Sequence, residues 1–328
     1  MNKYNLTIDV YDSIPFIISK TDSESAHMIV TFTDLYISQT PNVDMQLSNS
    51  APTFTSITVV WTICGGGVCD GAWSYDLDGN LLASPHFGGT NNHEPKGFNK
   101  KKHGLKSVKL KVWHDWIFIN LNNKALPFEK YASPLFKHLQ NINLKKINPV
   151  ATLDFGNINT NWKFLIENYI EPYHVQFVHK TTTSQPLKDH YTIVDGRCYG
   201  SAVDLNEEST SADSLAVSSK YLSLFPNFII GTYYPGQIGV HLNIPVEPGI
   251  THQKRVIYLT EDMQLKKKEI NKLRNLWWDV HKEDHEICER LQIGRLSSAA
   301  KNGGLLSPHW ENSVRAFQKI VIKSINKS

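Results

Sequence analysis

A chain of 328 residues, 41% of them hydrophobic and 11% aromatic, carries enough apolar side chain for a sizeable core in one large or two medium domains. Its net charge of +3 is small, and the Lys-rich pieces at 99–103 and 265–269 are short and far apart, so no basic stripe suits nucleic acid. No apolar run nears the roughly 18 residues of a membrane span, and acids interrupt the opening MNKYNLTIDVYDSIPF where a signal peptide would be apolar, so a soluble cytoplasmic protein is expected.

The first 72 residues stand apart. Of the 34 Lys and Arg residues only Lys3 and Lys20 precede residue 96, whereas residues 1–72 hold seven acids and many Ser and Thr. From Trp73 the pattern is more regular. WSYDLDGNLLASP has Asp-Gly turn chemistry between apolar stretches, and VKLKVWHDWIFINL (108–121) has two alternating runs around His114-Asp115, which predicts a hairpin. A small β domain is expected to end near residue 130.

Residues 161–180, NWKFLIENYIEPYHVQFVHK, begin with helical period. If 162–174 is one helix, Trp162, Leu165, Ile166, Tyr169 and Tyr173 share a face, and Glu167, Glu171 and His174 form a polar stripe on another. His179 would lie about 140° round from His174, so the rings share a metal only if the helix breaks between them; β-branched Val175 and Val178 favour such a break. As spacing alone this pair is a weak metal signal, and H-E-x-x-H is absent.

Strand-like runs follow at 227–234, 238–246 and 254–260, then a long helix over about 264–292 and another near 309–325. The order predicts an α+β domain whose antiparallel sheet grips a helix. In the long helix the apolar face runs through Leu273, Trp277, Val280, Ile287, Cys288 and Leu291, with Asp284 near its centre. A carboxylate there needs a cationic partner or a metal. Either a buried ion pair with Arg or Lys or metal ligation meets that need. Glu283 lies off this face and is expected to reach solvent. Cys288 reads as a core residue, and Cys64, Cys69, Cys198 and Cys288 are too scattered for a disulfide framework.

The run N-W-K-x3-E-N-x2-E-x-Y-H-x4-H (Asn161 to His179) resembles the iron-binding segment of Rieske non-haem iron oxygenases, the aromatic-ring-hydroxylating dioxygenase alpha subunits. E-D-x4-E-x-L-Q-x-G (283–294) resembles their later carboxylate segment. The resemblance implies a helix-grip catalytic domain over 131–328, with His174, His179 and Asp284 binding mononuclear Fe(II) and open positions left for O2 chemistry. Glu171 would link His174 to the [2Fe–2S] cluster of a neighbouring subunit and orient its ring. Asn168 would be a polar group beside the iron, while Tyr173 and Trp162 are taken as packing residues. Implied partners are a small organic substrate, O2, a reductase or ferredoxin, and a homo- or hetero-trimer.

Residues 73–130 resemble the second half of a Rieske domain, but the cluster ligands are missing. A Rieske cluster needs C-x-H followed by C-x2-H. CGGGVCDGAW (64–73) has Gly71 where the second histidine is expected, and no C-x-H occurs in the chain. Cys64, Cys69, His86 and His93 would make only an irregular site. The loss coincides with the composition break, so residues 1–72 read as a frameshifted start or, second, as the degenerate domain of a subunit that takes electrons from a partner. The expected function is hydroxylation, dihydroxylation or oxidative demethylation of a small substrate, leaning toward quaternary ammonium compounds because of the Glu at position 171. The alternatives are a catalytically impaired or structural subunit and a zinc hydrolase.

Overall fold

In a computed structural model, residues 80–104, 109–120, 124–183, 185–205 and 217–326 are described with their side chains, and earlier strands by their backbone. The chain divides into two compact units, Met1–Tyr11 with Asp22–Lys109, and Asp12–Thr21 with Leu110–Ser328.

The first strands in chain order are β1 (Lys3–Asp9), β2 (Phe16–Ser19), β3 (His27–Thr33), β4 (Asn42–Gln46), β5 (Val60–Thr62), β6 (Ser74–Tyr75) and β7 (Leu81–Ala83). In the smaller unit β1, β3, β4 and β5 form one sheet in that order. The stretches flanking Asp78-Gly79 do pair, with Ser74 of β6 opposite Ala83 of β7.

The larger unit holds the hairpin expected around His114-Asp115, made of β8 (Lys109–Trp113) and β9 (Trp116–Asn120), with β2 on the outer edge of β9. His114 takes a left-handed backbone (φ 55°), which a two-residue hairpin turn demands. Next come α1 (Phe128–Leu139), β10 (Ile147–Ile158), α2 (Trp162–Ile170), α3 (Val175–Val178), β11 (His190–Asp195), β12 (Cys198–Val203), β13 (Ser219–Leu224), β14 (Phe228–Tyr233), β15 (Gln237–Glu247), β16 (Ile250–Thr260), α4 (Lys267–Arg295) and α5 (Asn312–Ile325). Seven of these strands form one antiparallel sheet in the order β10-β16-β15-β14-β13-β12-β11.

Period-two alternation sorts the sheet's side chains. Leu222, Phe228, Ile230, Val240, Val256 and Tyr258 pack with Trp116, Phe118 and Leu135 from the hairpin and α1. The buried Tyr258 hydroxyl is satisfied there, donating to Asp115 (2.9 Å) and accepting from Trp116 Nε1 (3.2 Å). On the opposite face Ile257 and Tyr233 meet Trp277 and Val280 of α4, and Tyr199 and Ile229 meet α2 and α5. This is the α+β helix-grip arrangement that the element order predicted, with α4 about 44 Å long at 1.5 Å per residue.

Between α2 and α5, burial pushes the Glu167 carboxyl from 4.5 up to about 7, against the lowering effects of a Gln318 hydrogen bond and Lys163. Glu167 therefore does not extend a polar stripe to His174. Between about pH 4.5 and 7 the folded chain holds a proton that the unfolded chain has released, so stability falls as pH rises through that window. Glu167→Gln should flatten this dependence and raise stability at pH 8 by about 3 kcal/mol; melting temperatures of both proteins from pH 5 to 8 check it.

Candidate metal centre

The helix expected over 162–174 stops at Ile170. Residue 172 is proline, which disfavours the helical region for the residue before it, and Glu171 is extended (φ −116°, ψ 145°). His174 starts a separate single turn, α3, which ends at His179 (φ −87°, ψ 50°). The helix is thus interrupted before His174 as well as at His179, and the ring centroids come within 5.2 Å.

Asp284, midway along α4, completes the group. Its Oδ1 lies 3.1 Å from His179 Nε2 and 3.5 Å from His174 Nε2, and accepts from Asn168 Nδ2 at 2.8 Å. The three candidate ligand atoms all lie within 4.8 Å of one another, one from each residue.

A carboxylate holds the far side of each ring. His174 Nδ1 is 2.6 Å from Glu171 Oε1, while Glu171 Oε2 accepts the backbone N–H groups of Tyr173 and His174. His179 Nδ1 is 2.8 Å from Glu283 Oε2, which also accepts from the Thr182 hydroxyl at 2.7 Å. With a proton held on each Nδ1, a metal ion that displaces the proton between Nε2 and Asp284 would find both Nε2 lone pairs, the tautomer that ligation requires.

Glu283 lies off the apolar face of α4 and keeps 25% of its side chain exposed, as expected, yet it also bonds His179 and Thr182 from another element. Periodicity within one helix carries no signal of such a partner. Tyr173 is corrected: at 45% exposure it is not a packing residue, whereas Trp162 packs against Phe317 as expected. Leu291, placed on the buried face of α4, is 46% exposed, but Cys288 is buried and its thiol approaches the Phe164 carbonyl.

The electrostatics favour a cation. Burial pushes the Asp284 carboxyl up, but the facing imidazoles of His179 and His174 hold it well below the usual carboxylate range. Burial opposes a charged His174, yet Glu171 and Asp284 raise it to about 10. Among the described residues no Lys or Arg forms an ion pair with Glu171, Glu283 or Asp284; their charged-group contacts are the two histidines. The ion-pair reading of Asp284 thus finds no partner. Two neutral imidazoles and one carboxylate on one side of an ion suit Fe(II) with open positions.

The group opens on a cavity lined also by Tyr221, His241, Arg255, Trp277 and His281. His241, on β15, lines it as well. Phe228 faces the hairpin core and Ile229 packs on α2 and α5, while Tyr233 bonds Tyr169 through the two hydroxyls (3.1 Å).

The described residues do not fit a Rieske cluster. Cys64 and Cys69 lie outside them, and Cys198 and Cys288 are buried free thiols. His93 Nδ1 accepts the His86 backbone N–H, and His86 Nδ1 accepts that of Asn91, each at 2.9 Å.

The family described as ring hydroxylating alpha subunit (catalytic domain) matches residues 137–327, more than half of the chain and the whole of this site. The chain belongs to that family. Among curated relatives of these oxygenases, chloroplastic choline monooxygenase of Beta vulgaris is 28% identical over 264 residues, covering 75% of this chain and 56% of the relative. That of Amaranthus tricolor is 25% identical over 248 residues, covering 72% and 54%. The chain therefore spans about half the length of these relatives. Two solved structures share the fold at 17% identity. The quaternary ammonium Rieske monooxygenase CntA with L-carnitine has a TM-score of 0.66, covering 95% of this chain and 88% of that one. A naphthalene 1,2-dioxygenase with phenanthrene has 0.63, covering 87% and 81%. No helix among the described residues is long and apolar enough to cross a membrane.

Proposed function

We propose that this chain is the oxygenase subunit of a Rieske-type system, holding Fe(II) through His174, His179 and Asp284. It would hydroxylate, dihydroxylate or oxidatively demethylate a small organic substrate. The observation that carries this reading is the convergence of two Nε2 atoms and one carboxylate oxygen beside a closed-in cavity, each ring braced from behind by a carboxylate. Bound there, Fe(II) would activate O2 when supplied with electrons. Monooxygenation consumes one O2, two electrons and two protons, and releases the oxygenated product and water.

The chain's own residues would do the rest. Glu171 and Glu283 fix the tautomer and direction of the rings, and Asn168 holds Asp284 Oδ1 in place. Cavity walls of Trp277, Val280 and Tyr221 limit water around the substrate. Glu171, at the edge of the site, is the group through which electrons from a [2Fe–2S] centre would arrive. That centre, a reductase or ferredoxin, and assembly into a trimer lie outside what the described residues provide.

The missing ligand set favours one second reading, a catalytically impaired or structural subunit of a hetero-oligomeric oxygenase. Single-turnover assays with the iron-loaded full chain, a chemical reductant and candidate substrates under 18O2 separate the two. The oxygenase reading expects labelled product at up to one equivalent per iron. Stoichiometric iron with no product from any substrate favours the structural subunit, and O2-independent turnover with zinc would support a hydrolase instead.

A further inference from the structure

Arg255, on β16, is fully buried and lines the same cavity as the three candidate ligands. It stands opposite His241 in the β15–β16 ladder, on the site-facing side of the sheet. Its Nη1 donates to His241 Nε2 at 2.6 Å. Its Nε and Nη2 have no hydrogen-bond partner, and it forms no ion pair with an acid among the described residues. Those two nitrogens form the side-on edge of the guanidinium, the edge spaced to hold both oxygens of one carboxylate. The buried guanidinium is thus a charge without an acidic counter-ion among the described residues, a costly arrangement unless something supplies the anion.

The fold builds this position deliberately. Gly239, on the neighbouring strand, leaves room for the group: a Cβ there would stand 2.2 Å from Arg255 Nη2. Trp277 covers the guanidinium with its ring centroid 3.3 Å from Cζ, and the Tyr233 ring lies 5.4 Å away. These two aromatic faces, which a quaternary ammonium group would seek, are therefore already taken by the protein's own cation. The nearby imidazoles add no negative charge; burial and Arg255 both hold His241 well below its usual range.

We infer that the substrate carries a carboxylate, received by the Nε and Nη2 edge of Arg255, with the carbon to be oxidised turned toward Asp284, His174 and His179. This inference rests on the oxygenase reading for its last clause and stands on Arg255 alone for the first. It departs from the choline expected of a quaternary-ammonium relative, which has no carboxylate. The body of the substrate, betaine-like or aromatic, is separated by the test.

The test is calorimetric binding to the full chain, loaded anaerobically with Fe(II), of two matched pairs: glycine betaine against choline, and salicylate against salicyl alcohol. In at least one pair the carboxylate should bind roughly 10- to 100-fold more tightly, as a charge-assisted bidentate contact requires; the pair that responds identifies the body. Arg255→Met should erase that preference while leaving the affinity of the alcohol partner within about threefold. Gly239→Ala, which pushes the guanidinium aside without removing it, should reduce the preference as well. If the methionine variant fails to fold, the wild-type pairs and the alanine variant still decide. The inference is overturned if neither carboxylate is preferred, including the case in which no probe binds, or if folded Arg255→Met keeps the preference. Because binding is read without O2, carboxylate preference with no oxygenated product would overturn the oxygenase reading alone, and product formation with choline preferred would overturn the inference alone.

Discussion

Asp284→Ala is expected to lose stoichiometric Fe(II) and, with it, all O2-dependent product. Its Oδ1 is the only carboxylate oxygen facing both His174 Nε2 and His179 Nε2 among the described residues, and it carries the negative charge that a dication needs there. Removing it leaves two imidazoles, a pair with far less hold on Fe(II), so the loss should exceed the roughly 10- to 100-fold that an outer partner contributes. Asn168 Nδ2 also loses its acceptor, which adds a cost of about 1–3 kcal/mol to the metal-free protein. Asp284→Asn separates charge from shape: it keeps the volume and should still bind iron much more weakly than the native chain. Iron analysis after anaerobic loading and desalting, with thermal unfolding as the control for folding, checks both. Retention of one equivalent of iron in Asp284→Ala would exclude it as a ligand.

The second large effect separates the two bracing carboxylates. Glu283→Ala frees the Nδ1 side of His179 and strands the Thr182 hydroxyl, so Fe(II) affinity should fall about 10- to 100-fold. Glu171→Gln preserves the volume beside His174, and its one acceptor oxygen can still take the Nδ1–H at the expense of the Tyr173 and His174 N–H groups that Oε2 accepts, so iron content should fall less than in Glu283→Ala. Its effect should fall on electron delivery: turnover with the physiological donor drops by at least about tenfold, while single turnover with a chemical reductant is nearly unchanged. A merely structural Glu171 would lower both together. Equal losses in the two assays would remove it from the electron path.

Much of this centre was legible because it combines a sequence run with a periodicity. The run from Asn161 to His179 was legible through its likeness to the iron-binding segment of ring-hydroxylating oxygenases, because the spacing of the two histidines alone is a weak signal, and the place of Asp284 on the apolar face of α4 marked it as a buried carboxylate in need of an ion pair or a metal. The strands β14 to β16 and the two last helices were also legible, since their alternation or helical period is long and nearly unbroken. The strands β10 to β13 were not. Pro149 and Gly156 interrupt β10, with register shifts beside each, and CYGSAV of β12 is dominated by small residues that carry little strand signal.

Glu283 and Arg255 escaped for a shared reason. The role of Glu283 depends on the Thr182 segment, and that of Arg255 on His241, Gly239 and Trp277, all on other elements. A faint signal for Arg255 did exist. Thr251, Gln253, Arg255 and Ile257 alternate as buried positions of β16, so a cation sits in phase with the inward face. The early end of α2 was missed, because the helical period of the surrounding residues outweighed the effect of Pro172 on Glu171.

The most direct measurement is anomalous diffraction at the iron edge from crystals of the full chain loaded with Fe(II) under anaerobic conditions. One peak per chain is expected about 2.0–2.2 Å from His174 Nε2, His179 Nε2 and an Asp284 carboxylate oxygen, with Nδ1 of both rings still held by Glu171 and Glu283. A peak ligated elsewhere, or none at that point in crystals whose solution sample binds iron, would contradict it.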